Sequence, residues 1–103
     1  IMMSVLASII GSNVLTACRV HDYIQIFFAQ DVILNINNSY CILGSTVEGL
    51  RGKKLIDFSE SEQEIELVFE GSAKIRVDMS PNGFHGPEAM ELLRPGFPLV
   101  IWD

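Results

Sequence analysis

The chain has 103 residues, 49% of them apolar, which suffices for one domain (1–103) with its own core and excludes a disordered polypeptide. Thirteen acids stand against seven bases, a net charge of −6, which excludes a surface built to bind nucleic-acid phosphates or anionic lipid directly. Two cysteines, Cys18 and Cys41, do not make a disulfide framework, and no apolar run approaches the ~20 residues that span a bilayer.

The first segment, "IMMSVLASIIGSNV", runs into "LTAC" (15–18), a cluster of the kind that precedes the lipidated cysteine of exported bacterial lipoproteins. Two observations oppose that reading. The segment contains no Lys or Arg, which a signal peptide needs at its start. And "LTAC" belongs to a repeat. Shifted by 41 positions, residues 11–37 fall on residues 52–78 without a gap: Gly11 on Gly52, Val14 on Leu55, Leu15 on Ile56, Ile24 on Ile65, Ile26 on Leu67, Phe28 on Phe69, Leu34 on Ile75 and Ile36 on Val77. Three of these eight pairs are identities, so what repeats is chiefly the apolar pattern. "LTAC" then aligns with "IDFS" inside a first strand, and the protein is expected to be cytoplasmic and free of membrane.

Each copy alternates apolar and polar residues with period two, the mark of a half-buried strand. The pattern predicts three strands per copy, the first turning inward Leu15 and Ala17 (then Ile56 and Phe58). The second turns in Ile24, Ile26 and Phe28 (then Ile65, Leu67 and Phe69), and the third Leu34 and Ile36 (then Ile75 and Val77). Antiparallel partners share a face, which fixes the register: Phe69 opposite Ala73, Leu67 opposite Ile75, Ile65 opposite Val77. The hairpin loop is then "EGS", Glu66 faces Arg76, and copy one follows with "AQD". His21–Asp22 reads as a turn. Before each copy, Leu6 and Ile9 match Val47 and Leu50 at the spacing of a helical turn. After copy two, "PEAMELL" predicts a short helix opened by Pro87, and "FPLVIW" a closing strand. The expected fold is mainly β: two tandem three-stranded antiparallel meanders, one short helix and a C-terminal strand, forming a sandwich or an open barrel. The tail "FHGPEAMELLRPGFPLVIW" resembles the ends of small bacterial proteins with such elements, a likeness that implies no activity.

Catalytic constellations are absent from the sequence. His21 and His85 have no metal-ligand spacing with a cysteine, and no Gly-rich phosphate loop or nucleophile motif occurs. No catalytic residue, cofactor or metal is expected. The remaining signal is surface chemistry. "ESEQEIE" carries Glu60, Glu62, Glu64 and Glu66 at alternate positions, with Asp57 nearby. Alternation predicts one acidic outer face, and such faces most often serve solubility. At equivalent places copy one presents Tyr23, Gln25 and Phe27, with Phe27 opposite Ile33, a pair that needs covering.

In size, acidity and lack of catalytic groups the chain resembles bacterial immunity proteins, which block a cognate toxin. That resemblance implies a non-catalytic protein that binds a basic partner, such as a nuclease toxin, through Asp57, Glu60, Glu62, Glu64 and Glu66. The alternative is an assembly module, a homodimer joined through Tyr23, Phe27 and Ile33; a small-ligand protein or enzyme ranks third.

Overall fold

A computed structural model describes residues 4–103. Nine antiparallel strands are present among them: β1 (Val14–Val20), β2 (Tyr23–Phe28), β3 (Val32–Ile36), β4 (Tyr40–Leu43), β5 (Leu55–Glu60), β6 (Glu64–Phe69), β7 (Ala73–Asp78), β8 (Met90–Leu93) and β9 (Val100–Trp102). They form a five-stranded sheet of order β1-β2-β3-β8-β9 and a four-stranded sheet of order β4-β7-β6-β5. Neither closes into a barrel. Their inner faces share one core, centred on Ile24, Ile26, Phe28, Leu34 and Ile36 from one sheet and Ile65, Leu67, Phe69, Ile75 and Val77 from the other, all buried.

The two meanders, β1-β2-β3 and β5-β6-β7, have the expected registers. Phe69 faces Ala73, Leu67 faces Ile75 and Glu66 faces Arg76, while Phe28 faces Val32 and Phe27 faces Ile33. The copies are joined about a pseudo-twofold axis by reciprocal backbone bonds. Gly11 N–H donates to the Leu55 carbonyl at 2.7 Å and Gly52 N–H to that of Val14 at 2.8 Å. Val14 N–H donates to Lys53 at 2.8 Å and Leu55 N–H to Ser12 at 3.1 Å. Each bond is another moved by 41 positions, the self-complementarity of an isologous dimer within one chain.

The symmetry reaches beyond the two copies. β4 leaves copy one to pair with β7, Tyr40 opposite Val77, and β8 leaves copy two to pair with β3, Met90 opposite Ile36. Ile36 and Val77 are equivalent, so β4 and β8 are equivalent strands, reciprocally exchanged. The link before β8 is eight residues longer than the link before β4.

Three expectations are corrected. First, "PEAMELL" is not a helix: Met90–Leu93 is strand β8. A seven-residue helix is marginal in isolation, whereas β3 offers an open edge, and Met90 and Leu92 enter the core with period two. Second, Leu15 and Ile56 point outward, 55% and 49% exposed. A β-bulge between Val14 and Thr16, and its twin between Leu55 and Asp57, inserts one residue and reverses the alternation. Val14 and Leu55 are the buried residues there, followed three positions later by Ala17 and half-buried Phe58. Third, the closing strand is shorter than "FPLVIW", and Phe97 and Leu99 lie exposed before it. The helical spacing of Leu6–Ile9 and Val47–Leu50 appears as 3₁₀ turns, Val5–Ile9 and Glu48–Leu50.

Candidate functional site

The five predicted acids do not form one ladder. A hairpin turn at Ser61–Gln63 separates β5 from β6, held by Ser61, whose hydroxyl accepts from the Gln63 and Glu64 N–H groups at 3.2 and 3.0 Å. Glu62 lies exposed on that turn. Glu60 stands opposite Ile65 and shares its inward face. Its carboxylate sits at the rim of the sheets, accepting from Trp102 Nε1 at 3.3 Å and from the Ser4 hydroxyl. Asp57, Glu64 and Glu66 occupy the outer face of the four-stranded sheet. Glu66 is engaged there: Arg76 Nε donates to it at 2.9 Å and Lys74 Nζ lies 3.9 Å away. The Arg76 hydrogen bond, aided by the Lys74 charge, holds the Glu66 carboxyl below the ordinary range and raises the guanidinium in turn.

One row further along, Glu64 stands directly opposite Asp78. Like charges so placed repel. The Ser80 hydroxyl and N–H donate to Asp78 at 2.6 and 2.8 Å, which lowers its pKa and keeps it ionised. Glu64 and Asp78 line an open cleft of about 390 Å³ with Ser39, Tyr40, Gln63 and Arg76. Asp78 is the member that sequence alternation missed, because it comes from a different strand. The parity rule that opposes Glu66 to Arg76 also opposes Glu64 to Asp78.

The outer face of the five-stranded sheet is chemically different. Thr16, Phe27, Ile33 and Leu93 form one cross-strand row, and Cys18, Gln25, Asn35, Glu91 and Ile101 the next, with Tyr23 beside Val20 beyond. Tyr23, Phe27 and Ile33, predicted to lie outward together, do so, each half-buried by its neighbours. The internal symmetry supplies a comparison. Gln25 and Asn35 stand where copy two has Glu66 and Arg76, and Ile33 stands where it has Lys74. One outer face is an ion-paired lattice; the other is apolar around a neutral amide pair, Glu91 its one charge in these rows.

His85 lies on the long link before β8. Its Nε2 is 3.0 Å from the Ser39 hydroxyl, and with Asp22, Tyr23, Asn37 and Glu88 it lines a shallow cleft of about 370 Å³. Among the described residues no third group hydrogen-bonds the imidazole, the contact that in a nucleophilic relay orients the base. Among the described residues, no cluster of three or more His, Cys, Asp or Glu side chains could hold a metal ion, and no helix is long and apolar enough to cross a membrane. Comparison with protein families, curated proteins and solved structures finds no match to this chain.

Proposed function

We propose that the protein is a non-catalytic binding protein of the immunity type, which blocks a basic partner such as a nuclease toxin. The observation that carries this reading is the Glu64–Asp78 row: two acidic residues at opposed positions of adjacent strands, one held ionised by Ser80, in a cleft open to solvent. A lysine or arginine side chain from a partner finds two carboxylates to pair with there. Arg76, in the same cleft, is already engaged by Glu66. Glu62 on the adjoining turn, and Asp57 across the sheet, add attraction that acts mainly on encounter. The compartment we read for it is the bacterial cytoplasm, a reading supported by Cys18 and Cys41 as free thiols. A pentalysine peptide tests the site. Titration followed by amide NMR is expected to shift Gln63, Glu64 and Asp78 first, and Glu62→Gln with Glu64→Gln to weaken both binding and its salt dependence. Shifts spread evenly over Glu48, Glu88 and Asp103, or unchanged salt dependence in the double variant, would remove the cleft from the function.

A second reading is favoured by the outer face of the other sheet. The Phe27–Ile33–Leu93 row fits an assembly module that pairs with a second copy of itself: where this face has Ile33, Gln25 and Asn35, copy two has Lys74, Glu66 and Arg76, which pair as ions.

A further inference from the structure

The sequence "RPGF" (94–97) forms a tight turn after β8. Pro95 pre-sets the second position, Gly96 supplies the positive φ of 78° at the third, and Phe97 N–H closes on the Arg94 carbonyl at 3.2 Å. The turn folds Phe97 back, so that the Arg94 guanidinium lies 4.5 Å from its ring centre. Beneath it is a cleft of about 430 Å³, within the size range of small-molecule sites. Arg94, Ser8, Ser12 and Gln30 bring polar groups to it, and Ile9, Val32 and Phe97 bring apolar surface.

Copy two shows what this place becomes when it is filled. There Lys53 replaces Ser12 and Gly71 replaces Gln30, and the Lys53 amine lies only 3.0 Å from the point a Cβ on Gly71 would occupy. The lysine therefore lies across the equivalent space. In copy one the short Ser12 leaves it open. The cation comes instead from Arg94, whose counterpart after β4 is Gly44. Arg94 is incompletely satisfied: Nη1 donates to the Ser8 hydroxyl at 3.3 Å, but Nε is buried without an acceptor. The ion pairs among the described residues are those of Glu66, so no carboxylate neutralises Arg94.

We propose that this cleft binds a small organic monocarboxylate with an apolar body. The guanidinium fork matches a carboxylate in geometry and charge, the Ser12 hydroxyl offers a further donor, and Ile9, Val32 and Phe97 receive the apolar part. A single unpaired cation in a protein of net charge −6 suits a singly charged anion and disfavours a phosphate dianion. The site is independent of the Glu64–Asp78 cleft and of the apolar sheet face.

Hexanoate and hexanol, alike in apolar body, are the probes. In amide NMR titrations hexanoate is expected to give saturable shifts confined to Ser8, Ser12, Gln30, Val32 and Phe97, with hexanol at least tenfold weaker. Arg94→Gln should weaken hexanoate at least tenfold. Ser12→Met with Gln30→Gly lays a neutral, unbranched chain one atom shorter than lysine's where copy two has Lys53. It should abolish binding with Arg94 intact and the amide spectrum otherwise preserved, and it decides the question if Arg94→Gln fails to fold. Shifts that do not saturate, equal responses to hexanoate and hexanol, or binding undiminished in the filled variant would overturn the proposal.

Discussion

Asn38 and Gly83 fix the place where the chain exchanges strands between its halves. Asn38 is buried, and its side-chain amide donates to the Asp78 carbonyl at 2.7 Å, while its N–H and that of Asn37 reach the Ala89 carbonyl. Gly83 N–H completes the Pro81–Gly83 turn by donating to Ser80, and its carbonyl accepts from Ser39 at 2.8 Å. Its requirement for glycine is steric. An added Cβ would sit 2.3 Å from the Asp78 carbonyl oxygen and 2.7 Å from the Asp78 Cβ, neither of which can swing away. Gly83→Ala is therefore expected to destabilise the fold by about 1–3 kcal/mol, as overpacking does. Gly86→Ala, three residues along in open space, should change stability by less than about 0.5 kcal/mol. Urea unfolding of the two variants makes the comparison, and equal midpoints would show that the turn yields to the methyl group.

The elements repeat more faithfully than the residues do. Both meander hairpins place two consecutive loop residues at positive φ: Gln30 and Asp31 in one, Gly71 and Ser72 in the other. Glycine reaches that region without penalty, and other residues lose about 1 kcal/mol there. Gln30→Gly should accordingly raise stability by about 1 kcal/mol and Gly71→Gln lower it by a similar amount, measured as shifts in thermal midpoint; a stabilising Gly71→Gln would break the equivalence of the hairpins. Much of this level was legible in the sequence. Period two in Ile24–Phe28 and Ile65–Phe69, with the opposite-face rule, fixes the strands, loops and register, because one slipped residue would turn every inward side chain to solvent. What local pattern cannot express is non-local demand. The bulges that expose Leu15 and Ile56 leave no mark in apolar spacing, since both are as apolar as the residues they displace. "MELL" is a good helix former in isolation and a strand only because β3 lies waiting at the end of a crossover. In the same way, alternation groups Glu60 with Glu62, Glu64 and Glu66, but the turn at Ser61–Gln63 turns Glu60 inward and leaves Glu64 to meet Asp78 from β7. Arg94 carries no signal at all until its turn and its cleft are seen together.

At the scale of the whole molecule, the duplication gives two outer faces with one geometry and two chemistries, which sets up an experiment the chain has half performed. If the apolar face pairs with a second copy, the area suffices. A stable interface covers about 800 Å² per partner, and one side of a body of 5916 Å² measuring 32 × 30 × 28 Å offers that much. The pairing is also electrostatically tolerable, because Glu91 is the one charge in the rows that would meet, whereas the ion-paired face, apposed to itself, would have to desolvate Glu64, Glu66, Lys74, Arg76 and Asp78 together. Writing the second face onto the first, with Gln25→Glu, Asn35→Arg and Ile33→Lys, reuses side chains that already coexist on this backbone in β6 and β7. These substitutions should leave the inner core and the unfolding midpoint near those of the parent. Sedimentation equilibrium is expected to give twice the monomer mass for the parent, with a protein-concentration-dependent thermal midpoint, and the single-chain mass for the triple variant. A parent that remains monomeric at hundreds of micromolar would rule out self-pairing and leave the Phe27–Ile33–Leu93 row to a different protein. A triple variant that still dimerises would place the contact elsewhere, with β9 at the sheet edge the next surface to change.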